Sequence, residues 1–304
     1  MAGATSGGFH ALSILGGLSP WASPGRHGLE RIADLSYGPL QVHRLDVYRQ
    51  KDQEGPRPVV LYVHGGGFRA LSKDTHWLMA LAFARRGAVV FNVDYRLSPE
   101  HRFPAAAQDV CAAMEWVVDN AASYGGDPQR MIIAGESAGA NLASVLAIAC
   151  CYRRPEPWAR AVYDRGVVPR VVMPACGLFQ VSDSERFMRR KPIRWPVQDV
   201  LLHPQHIYLD PGCPASDLAD PLLVLERGDP PDRPLPPFFL PVGTRDPILD
   251  DTRRMKAALD RLGAVAEARY YPGELHAFHA MLWRSAAREC WREMLAFAEQ
   301  HTAP

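Results

Sequence analysis

Three residues that lie far apart in the chain, Ser137, Asp246 and His276, carry the side chains of a nucleophilic relay. A serine hydroxyl is a weak nucleophile until a base removes its proton, and a histidine with a pKa near neutrality can do so. A carboxylate fixes the tautomer of that imidazole and stabilises the imidazolium. If the fold brings the three groups together, they can cleave an ester or an amide bond.

The sequence around Ser137 predicts a sharp turn from a strand into a helix. The apolar run at 131–134 is followed by Gly135, Ser137 and Gly139, and then by good helix formers. At such a turn the side chains two positions before and after the serine would collide, and glycine avoids the collision because it has no Cβ. The helix would also point free N–H groups and the positive end of its dipole at negative charge beside the Ser137 Oγ.

A run of three glycines follows another predicted strand. Residues 59–63 are continuously apolar, as in a strand buried on both faces, and Gly65, Gly66 and Gly67 come just after them. The backbone N–H groups of such a loop can approach an anion closely. A phosphate loop is the rival interpretation, but its Lys and Ser/Thr are missing, as is the dinucleotide pattern G-x-G-x-x-G. A tight turn without function also stays open.

Asp246 and His276 also follow predicted strands, at 235–241 and 266–271. Ligand and catalytic groups of parallel sheets lie at the carboxyl ends of the strands. We therefore expect both side chains at the same sheet edge as the glycine loop and Ser137.

Predicted strands and helices alternate along the chain, which indicates an α/β fold with a parallel, doubly wound sheet. Residues 1–36 are predicted to form a short helix and a loop, and residues 40–48 an edge strand. From 176 to 235 the pattern dissolves, with one amphipathic helix at 197–208, as expected of a lid or cap. The other strands are predicted at 88–93, 131–134 and 167–173, and the helices at 75–86, 105–122, from Ser137 to about 151, at 250–262, and in a last segment ending near 300.

The composition fits one large domain, or one domain with a lid. The chain has 304 residues, of which 47% are hydrophobic, and a net charge of +1, so neither nucleic acid nor an anionic membrane is expected as a partner. Six scattered cysteines without metal spacing indicate reduced thiols of a cytoplasmic protein, although an even number leaves disulfides open. The apolar stretch at 11–18 has no basic residue before it, and no apolar run reaches the roughly 20 residues of a membrane span. We therefore predict neither a signal peptide nor a membrane span.

The order Ser, Asp, His is that of α/β-hydrolases, and longer motifs sharpen the likeness. From residue 59 to 282 the chain resembles the hormone-sensitive-lipase family of carboxylesterases. The matching motifs are HGGGF at 64–68, DYRLSPEHRFPAAAQD at 94–109, GESAGANL at 135–142, GTRDPILDD at 243–251 and YPGELHAF at 271–278.

The resemblance implies an α/β-hydrolase fold, with a mostly parallel central sheet flanked by helices and a helical cap. It implies a catalytic domain at 41–176 and 226–304, and cap segments at 1–40 and 177–225. It makes Ser137 the nucleophile, Asp246 the acid and His276 the base. It also implies an oxyanion hole formed by the N–H groups of Gly65, Gly66, Gly67 and Ala138. Aromatic residues are expected to wall the substrate cleft, namely Phe68, Trp195 and Phe278, with Trp21 as a further candidate.

Two residues depart from the common family pattern. Glu136 stands where many members have Asp or Thr, and Ala277 where many have Gly. We expect both to tune activity rather than abolish it. His279 rivals His276 as the base, but the position after 272–275 favours His276 and leaves His279 facing solvent or supporting the site.

Other polar residues receive structural interpretations. Asp250 and Asp251 rival Asp246 but are predicted to lie in the first turn of the next helix. His203 and His206 have the spacing of a metal pair without a third ligand, so neither a metal nor a cofactor is expected. A buried ionic brace for the glycine loop is predicted from Asp94, Arg96 and Glu100.

The expected activity is hydrolysis of short-to-medium-chain acyl esters, small-molecule substrates, by a monomer or homodimer. An amidase, formamidase or acyl-peptidase would use the same groups, and a non-catalytic small-molecule receptor is the alternative from another class. Activity should rise as His276 loses its proton, with an apparent pKa of about 6 to 7.

Overall fold

The computed structural model describes residues 22–187, 204–210 and 217–303. These residues form one eight-stranded sheet of order β1-β2-β4-β3-β5-β6-β7-β8. Strand β2 is antiparallel to both of its neighbours, and β3 to β8 are parallel to one another. The strands are β1 (Leu29–Ser36), β2 (Arg44–Gln50), β3 (Arg57–Val63), β4 (Val89–Val93), β5 (Gly126–Glu136), β6 (Val171–Ala175), β7 (Phe238–Gly243) and β8 (Ala266–Tyr271).

Helices cover both faces of the sheet. Helices α2 to α6 contribute to the apolar core on one face, and α1 and α7 to the core on the other. Their bounds are α1 (Trp77–Ala84), α2 (Ala105–Asn120), α3 (Ala138–Cys151), α4 (Pro157–Asp164), α5 (Pro221–Glu226), α6 (Leu249–Arg261) and α7 (Ser285–Thr302). Within the described residues no helix has the length and apolar character needed to cross a lipid bilayer.

Strand β3 shows why the central strands are continuously apolar. Val59, Leu61 and Val63 point into the core beneath α2 and α3, while Val60 and Tyr62 point into the core beneath α1 and α7. Alternate side chains of a strand face opposite sides, so a strand covered on both faces needs apolar residues throughout. The fold class and the parallel sheet predicted from these runs are confirmed.

The N-terminal prediction is wrong in two parts. The edge strand expected at 40–48 is found as β2 (Arg44–Gln50), which lies between β1 and β4 and so is not at the edge. Residues 29–36, expected within a helix and loop and inside the cap segment 1–40, form β1 and pair antiparallel with β2. Only Leu29 of this strand is fully buried, because β1 lies at the sheet edge. Charged side chains therefore interrupt its apolar pattern, and Arg31 reaches Asp46 of β2 at 2.6 Å. The division into catalytic domain and cap stays a prediction, and most of the helix expected at 197–208 lies outside the described residues.

Candidate active site

The turn between β5 and α3 places Ser137 at the carboxyl edge of the sheet. Ser137 has φ 54° and ψ −114°, a conformation that L residues rarely adopt. A Cβ on Gly135 would overlap the carbonyl oxygen of Gly139, and a Cβ on Gly139 would overlap that of Val63. The two glycines are therefore required for the close packing of the turn, as the sequence predicts.

The structure brings Ser137, His276 and Asp246 together. His276 Nε2 lies 3.0 Å from Ser137 Oγ, and His276 Nδ1 lies 2.9 Å from Asp246 Oδ2. With its proton on Nδ1, the imidazole donates to the carboxylate and leaves Nε2 free to accept the proton of Ser137. The geometry is that of a proton relay ending at a hydroxyl.

Asp246 is held firmly below the imidazole. Its side chain is fully buried, and Oδ1 accepts the N–H of Ile248 at 3.0 Å. The next-door N–H of Arg245 donates to the carbonyl of Glu274 at 2.9 Å, which ties the loop of the acid to the loop of the histidine. Two contacts therefore fix the orientation of His276. One is the contact of its ring with Asp246, and the other is the backbone hydrogen bond that joins the two loops.

Two opposing effects act on the pKa of His276. Burial alone would lower this pKa, but the charge of Asp246 and its hydrogen bond to Nδ1 together outweigh burial, and the pKa is raised above its usual value. The negative charge of Glu136 acts in the same direction. The imidazolium that forms when Ser137 gives up its proton is thus stabilised.

The glycine loop leaves the sheet beside this turn, because Val63 of β3 pairs with Gly135 of β5. Gly66 has φ 116°, and its carbonyl accepts the N–H groups of Arg69 and Ala70, both at 3.2 Å. A Cβ on Gly66 would overlap the carbonyl oxygen of Ala70. The loop is therefore a tight turn that tolerates no side chain at this position.

Gly65, Gly67 and Ala138 complete the candidate oxyanion donors. A Cβ on Gly65 would lie only 3.0 Å from the carbonyl oxygen of Glu136, and Gly67 has φ 62°. Ala138 is the first residue of α3, where backbone N–H groups have no partner within the helix. These backbone N–H groups lie at the same edge of the sheet as Ser137.

His64 supports the loop from below. Its ring stacks on Tyr95 at 4.2 Å, Nδ1 donates to the carbonyl of Gly65 at 2.7 Å, and the Tyr95 hydroxyl donates to the His64 carbonyl at 2.9 Å. Burial and the neighbouring His76 lower the pKa of His64 to about 3, so the ring is neutral. His64 therefore acts as a rigid hydrogen-bonded support.

The ionic brace predicted from Asp94, Arg96 and Glu100 is wrong in its partners. Arg96 binds Asp109 of α2 instead, at 2.7 Å. Asp94 accepts the N–H of Lys73 at 2.7 Å, and Glu100 is exposed. A buried acid on the facing helix gives the guanidinium a drier partner than a neighbour in an exposed loop.

A buried carboxylate between two histidines was not foreseen. Glu136 Oε1 lies 2.9 Å from His76 Nε2, and Oε2 lies 2.8 Å from His279 Nε2. His279 is 2% exposed, so the alternative that it faces solvent is wrong and its supporting position is found. Sixty residues separate Glu136 from His76, and no local pattern signals such a pair.

The aromatic walls proposed for the cleft are not found where they were expected. Phe68 and Phe278 are both fully buried. Phe68 stacks on Tyr208 with ring centroids 3.8 Å apart, and Phe278 packs 4.8 Å from Tyr271. Neither ring presents surface to an open cleft, because each belongs to the apolar core. Trp195 and Trp21 lie outside the described residues.

Asp250 and Asp251 lie in the first turn of α6, as predicted, and neither replaces Asp246 beside His276. Asp251 is buried and accepts the N–H groups of Phe179 and Gln180 at 2.9 and 3.1 Å. It therefore fixes the segment that follows β6.

The described residues contain one close group of three potential metal ligands, Cys176, Asp246 and His276, whose ligand atoms lie within 4.8 Å of one another. Both imidazole nitrogens already face Asp246 and Ser137, and burial raises the pKa of Cys176, which keeps it a neutral thiol. This group is better suited to proton transfer than to metal binding. Of the histidine pair expected to be metal-free, His206 is exposed, and His203 lies outside the described residues.

Comparison with known proteins decides the family. A family described by the alpha/beta hydrolase fold matches residues 60–280. The chain belongs to this family. The resemblance predicted from the motifs is thereby confirmed. The chain is 32% identical over 243 residues to the carboxylesterase NlhH of Mycobacterium tuberculosis. The matched region covers 79% of this chain and 72% of that protein. It is 28% identical over 275 residues to the versiconal hemiacetal acetate esterase of Dothistroma septosporum, spanning 88% and 80% of the two chains.

Solved esterase structures are similar to the chain in fold. An esterase from Pyrobaculum calidifontis is 27% identical, with a TM-score of 0.74, covering 99% of this chain and 93% of that chain. A bacterial heroin esterase gives a TM-score of 0.80 at 22% identity, covering 98% and 91% of the two chains, and this likeness concerns the fold.

Proposed function

We propose that the protein hydrolyses short-to-medium-chain acyl esters through an acyl-enzyme intermediate. One observation carries the proposal, the continuous contact from Ser137 Oγ through His276 to Asp246 at 3.0 and 2.9 Å. The esterases among its relatives support it. By its family the chain is a carboxylic ester hydrolase, and the proposal adds the residues and the mechanism.

In the first half of the reaction, Ser137 Oγ attacks the ester carbonyl carbon while His276 Nε2 takes its proton. The tetrahedral oxyanion would accept hydrogen bonds from Ala138 and from the glycine loop, chiefly Gly66 and Gly67, with Gly65 as a further donor. Each such donor lowers the barrier by about 3 kcal/mol. The imidazolium then returns the proton to the departing alkoxide, the carbon–oxygen bond breaks, and the acyl group stays on Ser137.

In the second half, a water molecule takes the place of the alcohol. His276 removes a proton from the water, the hydroxide attacks the acyl carbon, and the carboxylic acid leaves as the proton passes to Ser137 Oγ. The task of Asp246 in both halves is to orient Nδ1 and to stabilise the imidazolium.

We also propose that the protein is cytoplasmic and acts as a monomer or homodimer. The free thiols among the described residues, which are Cys111, Cys150, Cys151, Cys176 and Cys290, support a reducing compartment.

The test is the initial rate on a ladder of p-nitrophenyl esters from acetyl to decanoyl, with matched anilides, for the wild type and Ser137→Ala. Ser144→Ala is a matched control, because this buried serine of α3 donates to the Ala140 carbonyl of its own helix at 2.9 Å. We expect ester turnover with a maximum at short chains, lost in Ser137→Ala and kept in Ser144→Ala. Anilides cleaved as fast as esters would indicate an amidase, and ligand binding without turnover a receptor.

A further inference from the structure

The side chain of Glu136 is an enclosed anion at the centre of three catalytic segments. It lies at the end of β5, directly before Ser137, and its side chain is 4% exposed. Each carboxylate oxygen faces a different imidazole, Oε1 that of His76 at 2.9 Å and Oε2 that of His279 at 2.8 Å. Oε1 is hydrogen-bonded to His76, whereas Oε2 lies close to His279 without a hydrogen bond of good geometry. Burying a carboxylate is costly unless neighbouring groups compensate for it.

The two histidines belong to two segments that lie far apart in the sequence. His76 ends the short helix Lys73–His76, which follows the glycine loop, and its Nδ1 lies 3.1 Å from the Ser72 carbonyl oxygen. His279 lies in the short helix Phe278–Ala280, three residues after His276, and its carbonyl accepts the indole N–H of Trp291 at 3.0 Å.

We propose that Glu136 is a positioning residue, whose carboxylate ties the segment of His276 and the segment after the glycine loop to the turn that carries Ser137. This inference rests on the proposed function, because it assigns Glu136 a part in the same relay. It acts through His76 and His279 and touches neither substrate nor the reacting atoms.

The contacts require an anion rather than a neutral amide. Both nitrogens of His76 face oxygen atoms, Nε2 facing Glu136 Oε1 and Nδ1 facing those of the Ser72 carbonyl and the Thr75 hydroxyl. Burial would raise the pKa of Glu136, but the neighbouring imidazoles of His279 and His76 outweigh it, and this pKa is lowered. A glutamine at 136 would turn its NH₂ group towards one of the two rings and lose an acceptor there.

The charge of Glu136 also reaches the base. His276 is faced by Asp246, Ser137 and Cys176, and Glu136 adds a further negative charge that raises the His276 pKa. Other titratable groups around the carboxylate are neutral, because burial raises the pKa values of Tyr62, Tyr95 and Cys176 and lowers that of His64 to about 3.

The first test compares Glu136→Gln with the wild type on p-nitrophenyl butyrate from about pH 5 to 9. We expect kcat to fall roughly 10- to 100-fold with little change in KM, because the base is displaced and the substrate contacts are kept. The acid limb of the pH profile should move to lower pH, since a negative charge near the imidazolium is lost. Glu226→Gln is the matched control, because the Glu226 carboxylate binds Arg254 of α6 at 2.6 Å. This variant should leave both kcat and the acid limb of the pH profile unchanged.

Two further variants separate the effect of the charge of residue 136 from the effect of its side-chain length. Glu136→Asp keeps the charge but is one methylene shorter, so it should keep the acid limb near that of the wild type and restore only part of kcat. His279→Gln combined with Glu136→Gln should cost no more than the worse single variant, because the two groups act as a unit.

A measurement without substrate separates this inference from the proposed function. The titration of the His276 ring is followed by NMR, with the signal assigned from His276→Ala, in the wild type and Glu136→Gln. A lower His276 pKa in Glu136→Gln supports the inference even if the wild type cleaves no ester, which would contradict the proposed function alone. An unchanged titration with unchanged kcat overturns the inference, as does a kcat loss that only parallels a lower melting temperature.

Discussion

His276 Nε2 lies 3.0 Å from Ser137 Oγ, although 139 residues separate the two in the chain. The sheet accounts for this distance, because Ser137 follows β5 and His276 follows β8, and the carboxyl ends of parallel strands share one edge. The contact depends on the third member, Asp246, which holds the far side of the ring.

Asp246→Asn should lower kcat by roughly 10³- to 10⁴-fold, because an amide can donate to Nδ1 and stabilise the wrong tautomer. Steady-state kinetics on p-nitrophenyl butyrate measure the effect. Asp250→Asn is the control, since this acid lies in the first turn of α6 and should keep the wild-type rate. Equal losses in the two variants would contradict the assignment of Asp246.

Activity should increase with pH through the pKa of His276. The imidazole accepts the serine proton only when neutral, so protonation at low pH removes the base. Because Asp246 raises this pKa, the midpoint should lie above the ordinary value of a histidine. The logarithm of kcat/KM against pH measures the midpoint, and a flat profile between about pH 5 and 8 would contradict His276 as the base.

Gly66→Ala should reduce kcat by at least about 10²-fold, because the new Cβ overlaps the Ala70 carbonyl and must displace the candidate oxyanion donors. Gly228→Ala is the matched control. Gly228 also has a left-handed φ, 76°, but a Cβ there meets no atom within 4 Å. This control should lose about 1 kcal/mol of stability and no activity, whereas equal activity in both variants would place the oxyanion elsewhere.

Asp251→Ala should lower the free energy of unfolding by roughly 3 to 5 kcal/mol, because it leaves Arg186 without its buried partner and two N–H groups without an acceptor. Urea unfolding measures the change. Asp260→Ala, which removes an exposed pair with Lys256 on the same helix, should change stability by less than about 0.5 kcal/mol. If Asp251→Ala lowered the free energy of unfolding as little as Asp260→Ala does, Arg186 would have found solvent or another acid as its partner.

The sequence predicts best what depends on neighbouring residues. The apolar run at 59–63 and the glycines around Ser137 place the buried strands and the nucleophile turn, because burial and close packing restrict the residue types at those positions. Ser137, Asp246 and His276, which each follow a strand, could therefore be expected to lie close together, as they do.

Features that depend on distant partners were missed. Nothing near His76 indicates that its ring meets Glu136, and nothing in the hydropathy of Phe68 or Phe278 distinguishes a cleft wall from a core ring. The strand β1 was missed because a strand at the sheet edge is only partly buried, and charged residues such as Arg31 interrupt its apolar residues. In each case tertiary contacts decide the outcome.

The position of His276 after β8 has a consequence for synthesis of the protein on the ribosome. A nascent chain acquires its nucleophile at residue 137 and its acid at residue 246, yet it holds no base until residue 276 has been added and β8 has joined the sheet. Chains released before that point lack the base altogether. On the proposed mechanism, hydrolytic activity in a cell extract therefore counts only molecules whose translation has passed this residue.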